Sequence, residues 1–491
     1  MRDRAADRPL ERIDLRSHLP VLVLLLVAAA LRLPGIASRA LWIDEAFCVR
    51  LAQLDWTQLV HRAAADNHPP LYFAVLKLWM TVFGSSALAL RSLDLVLGVA
   101  TVGLVYALAR RILGSRGWAL AAAGWLALQP AHVLWAAQVR MYALAGFLAA
   151  LSALLLLRAL REPSWARWAA WAAAAIALVY THYFGAFVVL AQGLHAVVTL
   201  ARSPERRGLA RALAAGAAIG VAFVPWLGVV AAQSERVAAL WWVPPLTPSR
   251  LLWAWSRTAG LMIEDEFTLP AGIAALAIGA LALFVAAVVA RAAVQRDRGI
   301  RLCAWCALLP IAAGVAVTLA LGKNVVLARY LIVAQVFLPI AFIGALRSRL
   351  ALAPVAVALG LALVAELRVL APEPDVPVAA AWIDAQRRPG DRVIVEQFYY
   401  WSFRIRDPEL VMLTPRPQPI QVLGAALIGP DDTVIPPAEL PRQHGRLFVV
   451  DSAFAHAPVP AAWRRLAGAR FPVAFPRDPK FDLQVSLYDA P

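Results

Sequence analysis

The chain has 491 residues, 61% of them hydrophobic and 16% charged, with 47 Lys+Arg against 31 Asp+Glu for a formal net charge of +16. Globular chains run nearer ~45–50% apolar and ~25% charged, so the composition excludes disorder, argues against an ordinary soluble enzyme and points to a polytopic membrane protein. Only Lys77, Lys323 and Lys480 are lysines, and the arginines stand at the ends of apolar runs rather than on one polar face, so the charge does not describe a nucleic-acid surface.

A helix needs about 20 mainly apolar residues to cross the hydrocarbon of a bilayer. In chain order, such runs cover 19–36, 92–109, 118–135, 141–157, 168–181, 183–201, 212–231, 270–290, 302–321, 330–346 and 350–370, which predicts about eleven transmembrane helices. The first run follows a long tail that includes acids, unlike a cleavable signal. The run 71–83 has 13 residues, about 20 Å of helix, and contains Lys77, so it is expected to lie at the interface. With that assignment and a cytoplasmic N-terminus, the loops after residue 109 carry 16 cations inside and 6 outside, as the positive-inside rule requires. If 71–83 spanned, the two figures would swap and contradict the Arg-rich N-terminal tail. Cys303 and Cys306 form a CxxC inside an apolar run, which reads as packing rather than metal or redox chemistry. From about 371 prolines crowd and long apolar runs stop. A helix pattern at 377–387 and strand-like runs at 392–399, 446–451 and 483–488 predict a small α/β domain over 371–491, outside the membrane, after a membrane domain over 1–370.

Polar residues near a bilayer carry the information about function, and most fall on the predicted outer side. Asp44 and Glu45 follow Trp42 at the start of the outer segment 37–91. Helical neighbours point about 100° apart, so one could face a reaction centre while the other is held by an arginine or metal. The competing reading is a solvated helix start. His68, in Asp66-Asn67-His68-Pro69-Pro70, is presented on a rigid turn, for phosphate, metal or a local cap. Arg140 opposes the positive-inside trend and could grip a phosphate or snorkel. His182, Lys323, Asn324, Arg329 and Tyr330 lie in other outer loops. Trp241 and Trp242 read as an interfacial belt, and Glu264-Asp265-Glu266 as a solvated loop, with divalent metal the minority reading. Together these residues suggest an outward cavity with carboxylates at one wall and cations at another. That arrangement suits transfer from a lipid-linked phosphate to an acceptor hydroxyl. The alternative is a transporter or flippase for lipid-linked sugars, which would more often keep its polar groups near the midplane. A non-catalytic receptor or assembly factor is a third reading.

The stretches Leu41–Ala46 (LWIDEA), His68–Leu78 (HPPLYFAVLKL), Arg91–Gly114, Gln138–Leu144 (QVRMYAL), Thr181–Gln192 (THYFGAFVVLAQ) and Arg329–Ile332 (RYLI) resemble, in order, the GT-C superfamily of integral membrane glycosyltransferases. The resemblance is to family 39, with the protein O-mannosyltransferases and the aminoarabinose transferase of lipid A. It implies inverting transfer of a sugar, hexose or pentose, from a polyprenyl phosphate to a glycan, lipid or protein acceptor, on the extracytoplasmic face of a bacterial inner membrane. It implies Asp44 as the catalytic carboxylate, with Glu45 in the same acidic pair. It places His68, Arg140, His182, Arg329 and Tyr330 at the donor phosphate or lipid groove, where the outer-loop cation Lys323 is also expected. Gln138 stands where the family usually has glutamate, which puts in doubt a second acid or metal ligand there. Some relatives carry a divalent metal, so one stays open as a cofactor, but no cluster here has spacing that demands it. No metal site is assigned.

Overall fold

The computed structural model describes residues 15–39, 41–201, 206–240, 243–263, 271–370, 376–396, 399, 403, 411–413, 433–453, 457–472 and 482–491. Trp241, Trp242 and the Glu264–Glu266 triplet lie outside the described residues. The chain is a mostly helical, multi-pass membrane protein with a small sheet near its C-terminal end.

The helices are α1 (Leu15–Ala30), α2 (Ile43–Gln53), α3 (Trp56–Ala65), α4 (Leu71–Phe83), α5 (Ala87–Leu113), α6 (Arg116–Leu128) and α7 (Pro130–Trp135). Then follow α8 (Tyr142–Arg161), α9 (Trp165–Val179), α10 (Phe184–Ala201), α11 (Arg206–Leu240), α12 (Pro248–Thr258), α13 (Gly272–Ala293) and α14 (Arg298–Leu321). A 3-10 turn, Ala328–Leu331, leads into α15 (Ile332–Gln335), α16 (Leu338–Leu346) and α17 (Arg349–Leu370). Among the described residues, seven helices are long and apolar enough to cross a membrane, and the 3-10 turn with α15 and α16 adds one broken span bent by 53°. The other three expected runs, 19–36, 118–135 and 168–181, fall on shorter helices. The run 118–135 is broken at Pro130, which has no N–H to continue α6, and Gln129 before it is extended (φ −68°, ψ 121°).

The segment between α1 and α5 folds as three short helices. Asp55 caps α3 by accepting from Gln58 N at 2.9 Å. Helix α4 has 13 residues. Its Lys77 Nζ donates to Leu54 O at 2.7 Å and Ala52 O at 3.3 Å, capping the C-terminal carbonyls of α2. That lysine therefore ties α4 to α2. Leu71 N donates to Tyr180 O at 3.0 Å, which anchors the start of α4 beside the turn between α9 and α10.

Helix α18 (Val376–Asp384) precedes a six-stranded sheet of β1 (Arg392–Glu396), β2 (Val411–Leu413), β3 (Thr433–Ile435), β4 (Gly445–Asp451), β5 (Arg464–Phe471) and β6 (Leu483–Ala490), ordered β3-β2-β1-β4-β6-β5. The first four strands run parallel, and β6 is antiparallel to both β4 and β5. The expected helix and three expected strands are present. Strand β5, RRLAGARF, shows no strand pattern in the sequence because it has no β-branched residue, no apolar alternation and mostly exposed positions. Strands β2 and β3 have three residues each, too short for a period to show.

Candidate active site

The acidic pair at the start of α2 is divided between two tasks. Glu45 is 1% exposed and accepts from Arg91 through one edge of the guanidinium, Nε to Oε1 at 2.8 Å and Nη2 to Oε2 at 2.6 Å. Its oxygens also accept from Val139 N at 2.9 Å and Trp42 N at 3.3 Å. Arg91, in the first turns of α5, uses Nη1 on Ile36 O at 3.0 Å and Arg39 O at 2.9 Å. Every strong acceptor direction of Glu45 is thus taken, and it joins α2, α5 and the 138–140 segment. Of the acidic pair expected at the catalytic centre, Glu45 is thus the member held by an arginine, and a bidentate buried pair of this kind clamps the framework.

The same clamp sets the position of Arg140. Trp42 Nε1 donates to Gln138 Oε1 at 3.0 Å, and Arg39 Nη2 donates to Ala137 O at 2.9 Å. The backbone between α7 and α8 is thereby held against the start of α2. Arg140 Nη2 then lies 3.5 Å from Asp44 Oδ2. Its Nη1 is 3.4 Å from both Asp44 O and Cys48 Sγ, and its cation sits 5.7 Å from the Tyr142 ring centre. Burial pushes the Cys48 thiol up to about 12, against the pull of Arg140, so it meets Arg140 as a neutral acceptor. Asp44 keeps 14% side-chain exposure against 1% for Glu45. Arg140 Nε is buried without a hydrogen-bond partner.

A histidine and tyrosine cluster continues from Arg140. The His182 ring centre is 5.9 Å from Tyr142, 5.1 Å from Tyr330 and 6.0 Å from His68. Tyr330 is 6.4 Å from His68, and the Arg329 cation is 5.7 Å from the Tyr330 ring. His68 Nδ1 lies 2.9 Å from Asp66 Oδ2. Burial raises the Asp66 carboxyl, but His68, the backbone N–H of Asn67 and Arg140 outweigh it and hold Asp66 below the usual carboxylate range. Burial, and then the positive surroundings of His68, Arg140 and Arg329, hold His182 far below the usual histidine range. His182 is therefore neutral. Its Nδ1 accepts from Phe184 N at 3.2 Å, which places its proton on Nε2, a buried donor with no partner.

Asp44, His68, Arg140, His182, Arg329 and Tyr330 are thus brought together from five separate segments. Lys323 is not: among the described residues it makes no hydrogen bond or ion pair with them, and its neighbour Asn324 is tied to Pro244 O at 2.9 Å. Sequence reasoning did not single out Asp66, Arg91, Tyr142 or Asp94. Asp94 is fully buried on α5 and accepts from Tyr72 OH at 2.7 Å. The available signal was an acid inside an apolar run, three residues after Arg91 and so on the same helix face. Among the described residues no three His, Cys, Asp or Glu side chains converge as a metal site would require.

Residues 67–229, about a third of the chain, match the family described as dolichyl-phosphate-mannose-protein mannosyltransferase. The resemblance to the GT-C glycosyltransferases stands. None of the curated proteins compared with the chain matches it. Among solved structures, the oligosaccharyltransferase AglB of Archaeoglobus fulgidus, in complex with an inhibitory peptide and a dolichol-phosphate, is 13% identical over 89% of this chain and 69% of its own, with TM-score 0.49. ArnT of Cupriavidus metallidurans bound to undecaprenyl phosphate is 16% identical over 96% and 98%, with TM-score 0.46. The arabinofuranosyltransferase AftD from Mycobacteria is 16% identical over 96% of this chain and 39% of its own, with TM-score 0.46.

Proposed function

We propose that the chain is a glycosyltransferase that moves a sugar from a polyprenyl-phosphate donor to an acceptor hydroxyl, with inversion, on the extracytoplasmic face of a bacterial inner membrane. The observation that carries this reading is the placement of Asp44. It is the one carboxylate of the pair left open, and it faces Arg140 across 3.5 Å, in front of Arg329, His68 and the unpartnered His182 Nε2. Asp44 takes the proton of the acceptor hydroxyl. Arg140, Arg329 and the His182 donor balance the charge that builds on the phosphate as the anomeric carbon–oxygen bond breaks. The family match supports a lipid-phosphate sugar as donor. The distribution of cations between loops, 16 against 6, supports a cytoplasmic N-terminus, and with the eleven expected spans it supports an outward site and an outward C-terminal α/β domain (371–491).

The test is release of free lipid phosphate from a panel of radiolabelled polyprenyl-phosphate hexoses and pentoses, in detergent. Wild type is expected to release it and Asp44→Asn to fail while inserting normally. Wild-type turnover by Asp44→Asn would sink the reading. A transporter or flippase would leave every donor intact.

A further inference from the structure

The two histidines of the cluster are held in different ways, and the difference assigns them different chemistry. His182 accepts from Phe184 N through Nδ1, so its one proton is on Nε2. Losing that proton would leave an anion in a buried site, so His182 can lend a hydrogen bond but not give the proton up. His68 is the reverse case. Its Nδ1 is held by the Asp66 carboxylate at 2.9 Å, so Nδ1 carries a proton. Among the described residues its Nε2 edge has no hydrogen-bond partner, and the ring adjoins His182 and Tyr330. An imidazole with an aspartate behind it is stabilised in its cationic form, and only that form can release an Nε2 proton and remain neutral.

We propose that His68 is the acid that protonates the departing lipid phosphate, and that Asp66 is the positioning residue that holds its Nδ1 edge and so turns Nε2 outward. This rests on the transferase reading above and deepens it. In the step, the acceptor oxygen bonds to the anomeric carbon and its proton goes to Asp44. The anomeric carbon–oxygen bond breaks with its electron pair passing to the phosphate. The Nε2 proton of cationic His68 passes to that phosphate oxygen. Neutral His68, still bonded to Asp66, and a lipid phosphate monoanion result. One proton is taken up and one given, so the charge in the site does not change overall. A phosphate monoester has its second pKa near ~6, so without His68 a dianion would have to leave. The charged and titratable groups around the dyad are His182 and Tyr330 beside the ring, Arg329 behind Tyr330, and Arg140, which acts on Asp66 and pairs with Asp44. Among the described residues, Asp66 is the acid that pairs with His68.

The test uses the whole protein in detergent and undecaprenyl phosphate as probe, titrated calorimetrically at pH 8 in two buffers of different ionisation enthalpy. Binding the dianion should draw roughly one proton onto His68 in wild type. His68→Gln should bind with that uptake lost. Asp66→Asn, which leaves Nδ1 facing a neutral amide, should lose most of the uptake, and Asp66→Glu, which keeps the carboxylate, should restore it. A residue that only supports the fold would change affinity without moving the proton count. Wild type that binds the lipid with no uptake overturns the dyad and leaves lipid-phosphate binding intact. Uptake unchanged in His68→Gln, or uptake in Asp66→Asn equal to wild type, does the same. Absence of any binding by wild type overturns both readings.

Discussion

Exchanging each member of the acidic pair for its amide separates the two tasks of Asp44 and Glu45. In Glu45→Gln, an NH2 group replaces one oxygen among four converging donors, at 2.6, 2.8, 2.9 and 3.3 Å. Whichever way the amide turns, it faces two of those donors with donors of its own. Arg91, with a side chain 1% exposed, is left without its counter-charge. Breaking a buried pair from one side costs roughly 3–5 kcal/mol. Asp44→Asn keeps a side-chain oxygen towards Arg140 and loosens one 3.5 Å contact at a side chain 14% exposed, so its loss should be smaller. Purified variants melted in detergent should therefore rank wild type, then Asp44→Asn close by, then Glu45→Gln well below. Turnover should rank differently, with Asp44→Asn down by about 10²–10⁴-fold, the scale of a lost general base. Equal melting losses in the two variants, or a stable and inactive Glu45→Gln, would refute the division of labour.

Arg140→Ala removes a charged donor and is expected to weaken donor binding by about 10–100-fold, from ~1.5–3 kcal/mol for a charged hydrogen bond, with acceptor KM unchanged. Lys323→Ala should leave donor affinity within about twofold, since it stands apart from the cluster; equilibrium binding of labelled donor checks both. At Gly98 an added Cβ would sit 2.4 Å from Ala136 Cβ, so Gly98→Ala should cost ~1–3 kcal/mol of overpacking and, by displacing the segment leading to Arg140, also reduce turnover. Asp66 is held below the ordinary carboxylate value. Its contribution is therefore fully present above the unfolded value near ~3.9 and is lost as pH falls through its lower folded value. Wild type should melt above Asp66→Asn at neutral pH, and the gap should close on acidification below about pH 4.

The membrane helices were legible because apolar length is a one-dimensional property. Each of the eleven expected runs falls on a helix or a broken helix pair. What length could not give was where helices stop short. Gln129-Pro130 splits one run, and Phe337, between α15 and α16, interrupts another before Pro339. The site was legible to the extent that its residues sit in short motifs: Asp44, His68, Arg140, His182, Arg329 and Tyr330 all arrive in one place. The partners were not legible. The arginine that fixes Glu45 lies 46 residues away on another helix, and Asp66 looked like a lead-in to the prolines rather than the group behind His68. Lys323 was selected by loop and charge alone, and neither places a side chain.

Gln138 shows why the clamp matters to the chemistry. Its Oε1 accepts the Trp42 indole proton at 3.0 Å, a task any side-chain oxygen at that position could do, so the geometry does not require a carboxylate there. Charge distinguishes the two. Around the start of α2, Glu45 is neutralised by Arg91 and Asp44 faces Arg140. A glutamate at 138 would add a second negative charge beside Glu45, which glutamine avoids. The Asp44–Arg140 contact, at 3.5 Å, is the longer of the two pairs. On the proposed transferase reading, the donor phosphate competes with Asp44 for Arg140, so loading the donor frees the carboxylate that takes the acceptor's proton.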